Sequence, residues 1–388
     1  MRIAHIITRL ILGGAQENVV LCCEDLLREY GDEVLLITGP ALGPEGSLID
    51  RARAGGIPMK IIPSLQRAIH PWRDLAAYRA IGRVIREFRP DVVHTHSAKG
   101  GMLGRAAAWR LGVPAVIHTV HGAPFHPYQS AAARAFFCGC ERWAARRCHK
   151  LISVADAMTE LLVAAGVAPR EKFATIYSGM EVEPLVESYR LRDDVRRQLG
   201  YRPEHVVIGK IARLFYLKGH EYLIEAARTV VRTEPRARFL LVGDGLLRER
   251  LVRQVHDAGL DEHFQFFGLA PPESIPGLIA ATDIVVHTSL REGLARALVQ
   301  GLLAGKPVVS FDIDGAREVV LDNVTGYLVP PQDCGILAES LRRLAADPAL
   351  RDRLGGQGRR RCMDQFCHHR MTRQIRDLYE RALPVAEG

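Results

Sequence analysis

Short runs of β-branched and aliphatic residues alternate with helix-length stretches from one end of this sequence to the other. That alternation predicts parallel sheets joined by crossover helices, because parallel neighbours need a connection of a dozen or more residues. In the first half, strands are expected at Ile3–Thr8, Glu33–Thr38, Met59–Ile62, Val92–Thr95, Ala115–Thr119, Leu151–Val154 and Ala174–Tyr177. In the second half they are expected at Val206–Ala212, Arg238–Val242, Phe264–Phe267, Ile284–His287, Val308–Phe311 and Gly326–Val329.

The two halves begin alike. IAHIITRLILGGAQENVVLCCEDLL and VVIGKIARLFYLKGHEYLIEAARTV both read as strand, loop with arginine and glycine, then helix. A loop leaving the carboxyl end of a first parallel strand is the usual ligand-binding edge of such a sheet. At 388 residues the chain exceeds what one core normally organises, so two doubly wound domains facing a cleft are expected. The join is placed between Ser178 and Tyr189, where periodicity fades and glycine, proline and glutamates gather. Phe366 to Leu383 reads as a long basic terminal helix.

Composition narrows the class. A formal charge of +8 favours anionic partners such as nucleotides, phosphates or a lipid surface, and no nucleic-acid motif accompanies it. The opening MRIAHIITRL is interrupted by Arg2, His5 and Arg9 and reads as a strand, not a signal peptide. No apolar run approaches the roughly 20 residues of a bilayer span, so a cytoplasmic location is expected, with peripheral membrane contact open. The eight cysteines follow no zinc spacing and read as reduced thiols; Cys138-Gly-Cys140 is the nearest approach to a metal motif.

Several loops carry chemistry, each beside a plainer reading. Gly13 and Gly14 let main-chain N–H groups approach a ligand at a helix start, or they serve a tight turn. Arg213 and Lys218 flank the equivalent loop of the second half, as a diphosphate clamp or as two solvated charges. HTVHGAPFHP holds His118, His121 and His126, which suit one functional histidine, a metal site or structural roles. In VGDGL the glycines suit a strand-to-helix turn, with Asp244 expected to cap the next helix. Glu292, ionised and acceptor-only, suits sugar-like hydroxyls or acts as a capping acid. Gly293, Leu294 and Ala295 are expected to present amides at the start of a helix running from Leu294 to Ala304, with Gln300 inside it. Between 126 and 150 an amphipathic helix with Arg134, Arg142, Arg146, Arg147, Phe136, Phe137 and Trp143 is either core-packed with a basic outer face or a membrane-facing surface.

Taken in order, GGAQ, TVHG, ARLFYLKG, GDG, LREGLARALVQGLLAGKPVV and DGAREVVLDNVTGYLVP make a familiar series. The chain resembles the retaining glycosyltransferases of family 4 (group 1) with the GT-B fold, along nearly its whole length. The resemblance implies an acceptor-binding domain over 1–182, completed by a terminal helix at 366–388 that crosses back onto it. It implies a nucleotide-sugar-binding domain over 190–365. Gly13 and Gly14 would then approach the donor phosphates, Arg213 and Lys218 hold the diphosphate, and His121 lies near the transferred sugar. Glu292 matches the first acid of the family's E-x7-E element and would contact sugar hydroxyls. The second acid, expected to bind the ribose, falls on Gln300, whose amide still accepts from one hydroxyl and donates to another.

The implied reaction moves a glycosyl group, with retention, from a UDP-sugar (a GDP-sugar second) to a saccharide or lipid-linked saccharide. It needs no cofactor, and metal independence is expected. The 129–150 helix would make any contact with the inner face of the membrane. The competing readings are a sugar-nucleotide epimerase or hydrolase of the same fold, and a two-domain binding protein without catalysis.

Overall fold

The computed structural model describes residues 1–43 and 46–384. They form two α/β units, one of Met1–Met180 with the C-terminal segment from Cys367, the other of Glu181–Phe366.

The first unit has seven strands: β1 (Arg2–Arg9), β2 (Glu33–Gly39), β3 (Met59–Ile61), β4 (Val92–His96), β5 (Ala115–Val120), β6 (Lys150–Ser153) and β7 (Phe173–Thr175). They pair in the order β3-β2-β1-β4-β5-β6-β7, every pair parallel. The second unit has six: β8 (Val206–Ile211), β9 (Ala237–Val242), β10 (Phe264–Gly268), β11 (Ile284–His287), β12 (Val308–Phe311) and β13 (Gly326–Val329). Their order is β10-β9-β8-β11-β12-β13, again all parallel. All thirteen expected strands are present, with ends shifted by a residue or two where terminal ladder bonds fray. They were legible because both faces of a parallel sheet are covered, so the strands read as unbroken apolar runs. In each sheet the strand order reverses beside the first strand of the unit, between β1 and β4 and between β8 and β11, where such sheets bind ligands.

The terminal helix, His368–Ala382, belongs to the first unit. It buries Met371, Thr372, Ile375, Leu378 and Tyr379, an apolar stripe at helical spacing, and its apolar members join the core built on β1, β2 and β4. Polar ties fix its register on the helix Gly14–Arg28 and the turn after it. The Thr372 hydroxyl donates to Asp25 Oδ2 at 2.6 Å, His368 Nδ1 lies 2.9 Å from the same oxygen, and Arg376 Nε donates to Asp32 Oδ2 at 3.0 Å. The stretch read as a linker is not featureless: Pro184 seeds a helical turn at Glu183–Val186, continued by Ser188–Leu191 and the helix Arg192–Gln198.

That last helix is pinned to the second sheet by Asp283. Its carboxylate accepts from Arg192 Nη2 at 2.6 Å, Arg196 Nη1 at 3.1 Å and the Val207 N–H at 2.7 Å. Burial alone would raise its pKa, but the two arginines and the amide outweigh burial and hold it below the usual carboxylate value. A depressed folded pKa stabilises above the unfolded value, about 4, and that contribution fades as pH falls below it. Asp283→Asn is therefore expected to lower the unfolding free energy by about 3 kcal/mol at neutral pH. The deficit should shrink below about pH 4 in urea titrations; a deficit that stays constant down to pH 3 would show that the carboxylate's charge is not its source.

Candidate active site

In the second unit, the loops after β8, β11 and β12 converge on Glu292. Lys218 Nζ donates to Glu292 Oε1 at 2.5 Å, and His287 Nε2 donates to the same oxygen at 3.2 Å. The main-chain N–H of Glu292 donates to Asp314 Oδ2 at 2.6 Å. Burial by itself would protonate Glu292, but Lys218 and the His287 bond outweigh it and keep the carboxyl well below its ordinary range. Glu292 is thus an ionised, acceptor-only group at neutral pH.

Beneath it, β8 carries a fully buried amine. Lys210 Nζ donates to Thr288 Oγ1 at 2.9 Å, and that hydroxyl donates to the Gly219 carbonyl at 2.5 Å. Burial, with Lys218 nearby, pushes Lys210 down to about 7. The Leu290 N–H donates to the Leu217 carbonyl at 2.9 Å, closing the Lys218 loop onto the Glu292 loop. Gly219 makes this approach feasible: its φ is +63°, and a Cβ there would stand 1.9 Å from the Thr288 carbonyl oxygen.

Arg213 lies on the same loop as Lys218. It is exposed, and its guanidinium lies 5.1 Å from the Phe215 ring centroid and makes no hydrogen bond to any described residue. The Glu292 segment departs from expectation in one respect. The helix begins at Arg296, not Leu294, and runs to Leu303, leaving Gly293, Leu294 and Ala295 in the loop before it. The tethers from Leu290 to Leu217 and from Glu292 to Asp314 hold that segment out of helical geometry, and Ala295 has a ψ of 84°. Gln300 sits within the helix, half-buried, its side-chain amide unbonded among the described residues. Asp244 is not a helix cap: its carboxylate accepts the Gly245 N–H at 2.7 Å and faces Arg248 at 3.5 Å, and the helix Arg248–Asp257 has no side-chain cap.

In the first unit, Gly13 and Gly14 lie after β1 at the start of the helix Gly14–Arg28. Turn geometry does not require Gly13, whose backbone is extended; an added Cβ would meet only the flexible end of Gln16, at 2.8 Å. The three loop histidines diverge. His118, on β5, is buried and its ring packs where a Cβ on Gly101 would stand. His121, just past β5, has Nε2 3.1 Å from His96 Nδ1, and His126 lies further along the loop. His96, His94 and His5 form a buried imidazole cluster behind His121 that the sequence reading did not single out. The alternation His94-Thr95-His96 on a strand, which points both rings to one face, was the available signal.

The first unit also holds two adjoining apolar hollows between the helices Pro71–Phe88, Ala98–Arg110 and Ala131–Ala145. Their volumes are about 860 and 500 Å³. Phe136 and Cys140 line both; Trp109, Trp143, Arg110 and Arg147 line the larger, and Lys99 and Gln16 the smaller. The basic aromatic helix is therefore not simply core-packed, since Phe136 and Trp143 remain exposed.

Comparison with known proteins agrees with this architecture. Residues 192–361 match the family described as "Glycosyl transferases group 1", and residues 13–179 match the "Glycosyl transferase 4-like domain". The UDP-Gal:alpha-D-GlcNAc-diphosphoundecaprenol alpha-1,3-galactosyltransferase of Escherichia coli is 27% identical over 98% of this chain and 96% of its own. The capsular polysaccharide biosynthesis glycosyltransferase CapM of Staphylococcus aureus is 21% identical over 94% of each. Among solved structures, Anabaena Alr3699/HepE in complex with UDP and glucose superposes with a TM-score of 0.82, at 24% identity over 98% of this chain and 99% of that one. Across both units, then, the chain belongs to the group 1 glycosyltransferases of the GT-B fold.

Proposed function

We propose that the chain is a retaining hexosyltransferase that moves a sugar from a UDP-sugar to a hydroxyl of a lipid-linked saccharide, in polysaccharide or glycolipid assembly on the cytoplasmic side of a membrane. The observation that carries the donor half is the ionised Glu292 beside Lys218, with Arg213 exposed on the same loop. An acceptor-only carboxylate recognises sugar hydroxyls, and the two cations recognise a diphosphate. Lys218 has three donor hydrogens, so its bond to Glu292 leaves it able to reach a phosphate oxygen as well.

Charge accumulates on the diphosphate as the glycosidic bond breaks, and Arg213, Lys218 and the amides of Gly293, Leu294 and Ala295 stabilise it there. Gly13 and Gly14 are assigned to donor phosphate, and His121 to the transferred sugar. Gln300 meets the ribose. No cofactor or metal takes part. A GDP-sugar is the second donor class. UDP is favoured because the E. coli relative's name specifies UDP-Gal, and that name also specifies a lipid diphosphate acceptor. The open apolar hollows lined by Phe136, Trp109 and Trp143, with Arg110 and Arg147 at hand, suit the lipid end of such an acceptor.

Incubation with UDP-galactose or UDP-glucose and a short-chain GlcNAc-diphospho-lipid, with EDTA present, is expected to release UDP only when acceptor is added, giving an α-linked product by NMR. Epimer formed without acceptor would overturn the transferase reading. Arg213→Ala, Lys218→Ala and Glu292→Ala are each expected to cut turnover about tenfold or more; three unchanged rates would remove the site.

Gln300→Glu is expected to tighten UDP binding in calorimetry, because a carboxylate accepts from both ribose hydroxyls. Unchanged affinity would place Gln300 outside the nucleotide contact. Phe136→Asp is expected to raise KM for the lipid-linked acceptor several-fold and leave UDP affinity as it was. An unchanged acceptor KM would exclude the hollows as the lipid site.

A further inference from the structure

Behind His121 a hydrogen-bonded series crosses the first unit's sheet. His121 Nε2 lies 3.1 Å from His96 Nδ1, and His96 Nε2 lies 3.1 Å from His5 Nδ1. His5 Nε2 lies 3.5 Å from the Tyr379 hydroxyl, the longest link. That hydroxyl is 2.5 Å from His94 Nδ1, and His94 Nε2 is 2.7 Å from Thr119 Oγ1. The series thus runs from the loop after β5, through β4 and β1, to the terminal helix and back to β5.

His5, His94 and His96 also bring ligand atoms within 4.8 Å of one another, as a metal site would. Each of their six ring nitrogens already has a partner in the series, so a metal would displace bonds that satisfy buried groups.

Proton counting sets the direction. The three inner rings are neutral: burial pushes His5 down to about 3 and holds His94 and His96 well below the ordinary histidine value. Each therefore has one N–H and one bare nitrogen. The Tyr379 hydroxyl stays protonated, because burial raises its pKa well above the ordinary value. Thr119 is buried and, among the described residues, its hydroxyl has His94 Nε2 as its one hydrogen-bond partner, so the hydroxyl donates. His94 then carries its proton on Nδ1 and donates to the Tyr379 oxygen. Tyr379 donates to His5 Nε2, His5 Nδ1–H donates to His96 Nε2, and His96 Nδ1–H donates to His121 Nε2.

We infer that Thr119, Tyr379, His94, His5 and His96 are positioning residues that fix the tautomer of His121, leaving its N–H on Nδ1. The role rests on the proposed assignment of His121 to the transferred sugar. The tautomer does not.

Selective 15N-histidine labelling and long-range 1H–15N correlation of the ligand-free protein read the tautomer directly, with the His121 signal assigned by its loss in His121→Asn. The expected result is a protonated Nδ1 and a bare Nε2 at His121. It should persist in Thr119→Ser, which keeps the terminal donor, and become mixed in Thr119→Val and Tyr379→Phe. If the two directions become equally populated, the competent fraction halves, so turnover in those two variants should fall about twofold or more, with donor KM little changed. A protonated Nε2 at His121 in the wild type, or an unaltered tautomer in both Thr119→Val and Tyr379→Phe, would overturn the inference. An intact tautomer pattern in a protein that transfers no sugar would refute the proposed function and leave the histidine series standing.

Discussion

Glu292 is a carboxylate that burial alone would protonate, and the second unit's loops are arranged so that it stays charged. Lys218 arrives from the loop after β8, His287 from the end of β11 and Asp314 from the loop after β12. Each contact also ties its own loop in place. Losing the charge would therefore loosen the loops, and loosening the loops would let the carboxyl titrate. A buried polar group satisfied from several directions specifies one arrangement of the chain around it, because every alternative leaves a charge or a donor without a partner. The Lys210–Thr288–Gly219 series below extends the same logic into the sheet, its two bonds joining segments 78 and 69 residues apart in sequence.

What the sequence disclosed follows from this physics. Thirteen strands were legible because parallel strands buried on both faces have no polar alternation to confuse the reading. The loops that hold Arg213, Lys218, Glu292 and His121 were legible because each follows a strand's carboxyl end. The pairings between loops were not. Lys218 and Glu292 were read as separate contacts, to phosphate and to sugar, yet they meet at 2.5 Å across 74 residues of chain. Local pattern carries no information at that separation. The start of the helix at Arg296 was misjudged for a related reason: Leu294 and Ala295 favour helix, and only the tertiary tethers at Leu290 and Glu292 hold them in a loop. Asp244 failed as a predicted cap because the neighbouring Gly245 N–H, one residue away, took its carboxylate first.

The histidines of the first unit illustrate a different limit. His5, His94 and His96 stand on strands whose other residues are apolar, and an apolar reading passes over them. Their meaning emerges only when β1 and β4 pair with His5 beside His94 and the terminal helix adds Tyr379. None of the four is stable there alone, since a neutral imidazole or phenol in a core costs free energy unless its donor and acceptor are both engaged. Together they satisfy one another, so the cluster is an all-or-none feature.

That mutual dependence gives the terminal helix a second consequence. Its apolar stripe closes the first unit's core, and its ties to Asp25 and Asp32 fix its register on that unit. The same register sets the position of the Tyr379 hydroxyl relative to His94 and His5. A slip of one residue would carry the hydroxyl roughly 100° around the helix and leave two buried imidazole nitrogens without partners. The packing that seals the sheet and the hydrogen bonding that ends at His121 are thus set by a single geometric choice, the seating of His368–Ala382 on the first unit.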